Sequence, residues 1–76
     1  MEKNLMLRYD QEGDILYVDS LEPYAGQVSE EIEDGVIARL NPDSGEIENL
    51  EVLFFTLRLQ SGKRLELPLL SVPEHA

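Results

Sequence analysis

Apolar and polar residues alternate with a period of two along most of residues 5–59, and glycine, proline, asparagine and aspartate interrupt that alternation at short intervals. Leu5, Leu7 and Tyr9 alternate with Met6 and Arg8, the pattern of a strand with one buried face. Asp10-Gln11-Glu12-Gly13-Asp14 follows, a polar cluster whose glycine can take positive φ, and residues 15–18 are apolar again, so a hairpin is predicted. Because Ile15-Leu16-Tyr17-Val18 is apolar on both phases, it reads as a central strand covered on both faces. Residues 21–26 carry Pro23 and Gly26 and form a connection. Val28, Glu30 and Ile32 then alternate with Ser29, Glu31 and Glu33, and Val36-Ile37-Ala38-Arg39-Leu40 resumes beyond Asp34-Gly35. An Asp-Gly pair between two such runs predicts a type I′ hairpin turn, which needs positive φ at both central residues. In Asn41-Pro42-Asp43-Ser44-Gly45 the proline presets φ, the aspartate can close an Asx turn and the glycine accepts the left-handed position. Residues 47–55 supply the next strand. The expectation is an antiparallel β-meander of five to six strands with short connections and no crossover helices.

The last third of the chain has two readings. Phe55, Leu57 and Leu59 alternate with Thr56, Arg58 and Gln60, and Leu65 and Leu67 with Arg64 and Glu66 across Ser61-Gly62, which favours a further hairpin. A short helix over residues 55–60 is the rival. Pro68 and Pro73 confine any final strand to an edge, and residues 73–76 read as a frayed tail.

Length and charge narrow the function more than the fold. With 76 residues, 42% hydrophobic and 29% charged, the chain makes one globular domain over residues 1–76. A domain of that size buries only about 60% of the surface its unfolded chain exposes, so a partner surface helps it and a homo-oligomer is expected. A formal net charge of −10 repels phosphate backbones and anionic lipid, which makes nucleic acid and membrane surfaces poor partners. There is no cysteine, hence no disulfide, thiolate zinc site or thiol nucleophile. The Met-Glu-Lys-Asn start lacks the apolar segment of a signal peptide and no stretch reaches membrane-span length, so a cytoplasmic location is expected.

Several motifs together resemble one known family. Leu7-Arg8-Tyr9-Asp10, Gly13-Asp14-Ile15-Leu16-Tyr17-Val18, Glu30-Glu31-Ile32-Glu33-Asp34-Gly35-Val36-Ile37, Gly45-Glu46-Ile47 and Leu50-Glu51-Val52-Leu53 occur in the order seen in the domain-of-unknown-function family 2283, over roughly residues 5–55. The resemblance implies a compact β-meander with a short helix after the fifth strand, which moves residues 55–60 to helix. It implies no activity, cofactor or catalytic residue. Phe54-Phe55 departs from the small polar residues frequent in that family.

Candidate chemistry is sparse. His75, the only histidine, lies beside the C-terminus, where a side chain is seldom held for acid–base work. Glu30-Glu31-Ile32-Glu33-Asp34 is the densest carboxylate group, yet on a strand Glu31 and Glu33 share one face and Glu30 the other, which fits a solvated strand better than a catalytic pair. The loops at residues 10–14 and 41–46 invite a calcium reading, but their glycines come fourth and fifth, away from EF-hand spacing. No phosphate-cradling glycine motif is present, and no cofactor or metal is expected. Arg58, Lys63 and Arg64 form a small basic spot that can pair with the acidic strand of a second copy. Leu53, Phe54, Phe55, Leu57 and Leu59 make the densest apolar stretch, divided between core and interface.

Three readings of function follow. The first is a non-catalytic interaction or homodimerisation module built on the β surface and the C-terminal segment. The second is a divalent-metal or small-molecule site, possibly enzymatic, assembled from Asp10, Asp14, Glu31 or Glu33. The third is an acidic partner of a basic protein, such as a toxin.

Overall fold

The computed structural model of the protein describes residues 4–62, 64–68 and 70. Five strands, β1 (Met6–Asp10), β2 (Ile15–Asp19), β3 (Val28–Glu33), β4 (Val36–Leu40) and β5 (Ile47–Leu53), form one open antiparallel sheet, and a single helix, α1 (Phe55–Gln60), follows. Among the described residues no helix is long and apolar enough to cross a membrane. His75, Lys63 and the expected frayed tail lie outside the described residues.

The sheet order is β1-β2-β5-β4-β3. The hairpin β1–β2 and the up-and-down run β3–β4–β5 meet where β5 pairs with β2, so the connection over residues 20–27 spans the end of the sheet to start β3 at the far edge. Period-two patterning fixes which residues share a face but leaves open which strands are neighbours. Pairing places Leu7, Val18, Leu50 and Ala38 in one cross-strand row and Tyr9, Leu16, Val52 and Val36 in the next. Leu50, Val36, Val52 and Ala38 are fully buried. Ile32, Leu40 and Ile47 from the sheet and Leu67 and Leu70 from the C-terminal segment pack against this core. That segment runs over the apolar face with no regular structure in residues 64–68, so the sixth strand and the alternative hairpin are absent there.

The opposite face is mixed, with Ile15, Leu53 and Ile37 beside charged and polar residues. Arg8 lies 4.2 Å over the Tyr17 ring and Arg39 pairs with Glu51 at 2.7 Å. On this face of β2, Arg8 covers Tyr17, Ile15 is half-buried and Asp19 is buried, so the strand is covered on both faces only in part. Three turns form where predicted with different chemistry. Between β3 and β4 only Gly35 has positive φ, 79°, so the turn is not type I′; the extra residue is taken up by a register shift between Glu31 and Glu33. Between β1 and β2 it is Asp14, at φ 56°, and not Gly13, that is left-handed. The third turn closes through Asn41 and not Asp43, its Oδ1 accepting from the N–H groups of Asp43 and Ser44 at 2.8 and 3.0 Å, with Gly45 at φ 77°.

Candidate functional site

Each end of the sheet carries a cluster of interacting side chains. At the end where β2 finishes and β5 begins, the pairing Leu40–Ile47 beside Arg39–Asn49 leaves Glu48 as an extra residue in β5, and the shift aims Glu48 and Asn49 toward the connection over residues 20–27. Glu48 Oε1 accepts from the Tyr24 hydroxyl at 2.8 Å and from Gln27 Nε2 at 3.0 Å, and its Oε2 accepts from Asn41 Nδ2 at 3.0 Å. Asn49, 1% exposed, donates through Nδ2 to Asp19 Oδ1 at 2.8 Å and to the Leu21 carbonyl at 2.7 Å, and accepts from Gln27 Nε2 at 2.7 Å. Burial pushes the Glu48 carboxyl up, but the hydrogen bonds from Gln27, Asn41 and Tyr24 outweigh it and hold the group below the usual carboxylate range. A carboxylate kept ionised in this way is no general acid near neutrality. It works as a latch that closes the long connection onto β5.

At the other end Asp14 joins β1, β2 and α1. Its Oδ1 accepts from the Tyr9 hydroxyl at 2.6 Å, its Oδ2 from Thr56 Oγ1 at 2.8 Å, and both oxygens lie within 3.2 Å of the Thr56 N–H. Its carbonyl accepts from the Phe55 N–H at 3.0 Å. Asp14, more than forty residues away in sequence, therefore caps a helix whose own N-cap, Phe54, offers no side-chain acceptor. The Tyr9 hydrogen bond, with smaller ones from Thr56, lowers the Asp14 carboxyl against a desolvation effect, and the same bond raises the Tyr9 hydroxyl. Arg58 completes the fastening, donating Nε to the Leu53 carbonyl at 3.0 Å and Nη2 to the Asp34 carbonyl of the β3–β4 turn.

These contacts fix α1 without burying it. None of its residues is buried. Phe54, Leu57 and Leu59 are 59%, 59% and 60% exposed, whereas Leu53 and Phe55 are half-buried, Phe55 with its ring 6.0 Å from that of Tyr9. Phe54 is left-handed, φ 54° and ψ 46°, a conformation unfavourable for a bulky side chain. A shallow cleft of about 310 Å³ lies between α1 and the segment after it, lined by Leu57, Arg58, Ser61, Arg64 and Leu65. Large apolar side chains are also exposed on β1, at Met6, Leu7 and Tyr9, and at Leu5 just before it.

The carboxylates considered for a metal or small-molecule site are not brought together. Asp10 and Asp14 flank the β1–β2 turn, Glu31 and Glu33 sit on β3, and β2, β5 and β4 lie between. Asp10 Oδ1 accepts from the Glu12 N–H and Glu31 Oε2 from the Gly35 N–H, both at 3.1 Å, so both act in local turns. Among the described residues no three metal-ligating side chains form a cluster. Sequence reasoning missed the Glu48 latch and the exposed β1; the adjacent polar pair Glu48-Asn49, which breaks the alternation of its strand, was the available sign of the first.

A family model described as "Protein of unknown function (DUF2283)" matches residues 6–55, which include all five strands, and the chain belongs to that family. No curated protein and no solved structure matches it.

Proposed function

We propose that this DUF2283 protein is a non-catalytic interaction module of the cytoplasm, and that it associates with another protein, in the first place a second copy of itself, through the apolar surface formed by α1 and β1. The observation that carries this reading is a helix fastened at three polar points while Phe54, Leu57 and Leu59 face solvent. A six-residue helix is too short to hold itself together in water, and a helix usually gains its stability by burying an apolar face. Here Asp14 and Arg58 supply the order, so the apolar side chains are presented in a fixed arrangement. Pre-ordering of that kind lowers the entropic cost of association.

The left-handed Phe54 supports the same reading. A phenylalanine held at positive φ costs about 1–2 kcal/mol relative to a relaxed backbone. Such strain persists where the side chain has a use. Sedimentation equilibrium across a concentration series tests the proposal, with Phe54→Gly and Leu57→Glu/Leu59→Glu as variants. The expected result is self-association of the natural chain at micromolar concentration, weakened at least tenfold in both variants while their thermal unfolding is retained, and in Phe54→Gly unimpaired because glycine relieves the strain. A natural chain that stays monomeric into the high micromolar range overturns self-association. Unchanged association in both variants removes α1 from the surface.

A further inference from the structure

We propose that a second copy adds to the sheet at its β1 edge, so that two β1 strands pair antiparallel about a two-fold axis and the two sheets become one of ten strands. This rests on the reading of the chain as an interaction module and specifies the geometry of its contact. The two edges of the sheet differ in the features that govern edge pairing. β3 carries Glu30, Glu31 and Glu33 and a register shift beside Ile32, devices that discourage addition of a further strand. β1 has no glutamate and no register shift, and its one carboxylate, Asp10, stands at its last residue. Its register against β2 is unbroken from Met6 to Asp10, it contains no proline or glycine, and its single cation, Arg8, is drawn inward over Tyr17. Leu7, in mid-strand, is 68% exposed, the highest value among the exposed large hydrophobic residues.

The occupant is identified by self-complementarity and by charge. An axis through Leu7 sets Leu7 opposite Leu7, Met6 opposite Arg8, Leu5 opposite Tyr9 and Asn4 opposite Asp10. The cross-strand row Ala38, Leu50, Val18, Leu7, buried up to Val18 and exposed at Leu7, then continues directly into the same row of the second copy, on the same face. Arg8 of the second copy arrives opposite Met6, beside a groove of about 480 Å³ whose lining residues include Met6, Leu7 and the acidic Asp19 and Glu22. Sliding the pairing to place Arg8 on the axis sets two guanidinium groups opposite each other, and sliding it by one residue turns the apolar row of one copy onto the opposite, mixed face of the other. A chain of net charge −10 resists self-association in general, but this geometry puts the two acidic β3 edges at opposite ends of the sheet. Nine strand spacings separate them, roughly 43 Å at about 4.8 Å each, several times the screening length of physiological salt.

Because the chain has no cysteine, one introduced thiol reports the register cleanly. Facing residues on antiparallel strands have Cα atoms about 4.5–5.5 Å apart, within the range a disulfide spans. Under mild oxidation at the concentration where the natural chain self-associates, Leu7→Cys is expected to give mostly disulfide-linked dimer, at least tenfold more than Val28→Cys, an exposed position on β3. Amide exchange of β1 in the natural chain is expected to slow as concentration rises. A chain that sediments as a dimer while Leu7→Cys crosslinks no better than Val28→Cys, with β1 exchange independent of concentration, overturns the β1 pairing and leaves the interaction module standing. A monomer at all concentrations overturns the β1 pairing together with the self-association on which it rests.

Discussion

At one end of the sheet a carboxylate only 7% exposed, Glu48, gathers donors from Tyr24, Gln27 and Asn41, while at the other end Asp14 gathers Tyr9 and Thr56 on the solvent side. Each fastens a distant segment to the sheet, the connection over residues 20–27 in the first case and α1 in the second. The surroundings set what each one does. When a buried acceptor is removed, half-buried donors such as Gln27 and Asn41 find water only in part and much of the desolvation penalty appears. When an exposed acceptor is removed, water replaces it, so the cost is small and local. The Glu48 end therefore supports the whole fold, and the Asp14 end positions a surface.

That contrast orders the expected effects of mutation. Glu48→Ala breaks it most severely, with a loss of about 2–3 kcal/mol in urea unfolding as Asn41 and Tyr24 lose their acceptor and Gln27 keeps only Asn49. A loss equal to that of a surface substitution would show that the latch is not structural. Gly35→Ala comes next. Its positive φ costs about 1–2 kcal/mol for alanine, and the added Cβ would stand 2.5 Å from Arg58 Nη2, so α1 loses an anchor as the domain weakens. The check is urea unfolding together with amide exchange in α1.

Acid sharpens the comparison. Glu48 and Asp14 are both held below their ordinary values of 4.5 and 3.8 in the folded chain, so their contribution is complete above those values and is lost as pH falls through the lowered folded values. Thermal unfolding is expected to hold steady down to about pH 5 and to decline below it, with a shallower decline in Glu48→Gln. The opposite limb belongs to the tyrosines. Tyr9 and Tyr24 are raised by donating to Asp14 and Glu48, so what they contribute is present below pH 10 and lost as pH rises through the raised values. Asp14→Asn has the smallest effect. Asparagine tolerates the left-handed backbone at φ 56°, so global stability stays near that of the natural chain while exchange of the Thr56 N–H accelerates. A global loss as large as that of Glu48→Ala would erase the distinction between the two ends.

The strands were legible because each of their segments carries its own period-two pattern: β4 lies over Val36–Leu40 as read, and β1, β3 and β5 differ from their expected bounds by one or two residues. The helix was legible only through family resemblance, since its alternation by itself favoured a hairpin; two left-handed residues, Asp14 and Phe54, and a cap from Asp14 overrule that local preference. Turn chemistry was half legible. Asp-Gly marked the right place, but Arg58 bound to the Asp34 carbonyl and the shift at Ile32 accompany a different turn. The apolar run over residues 53–59 reads from sequence as divided between core and surface without saying which residue goes where; the fold leaves Phe54, Leu57 and Leu59 exposed and turns Phe55 toward Tyr9.

The sequence by itself determined the type and approximate limits of the five strands over residues 5–55 while leaving a sixth open, together with the sites of the turns, the excess of negative charge and the absence of thiol chemistry, because each depends on residues close together along the chain. Only the tertiary structure decided that β5 lies between β2 and β4, that Glu48 and Asn49 form a buried latch, and that β1 stands at an open edge with Leu7 exposed. Those outcomes depend on pairing between segments about thirty residues apart. An alternating strand specifies its own two faces but not its neighbour.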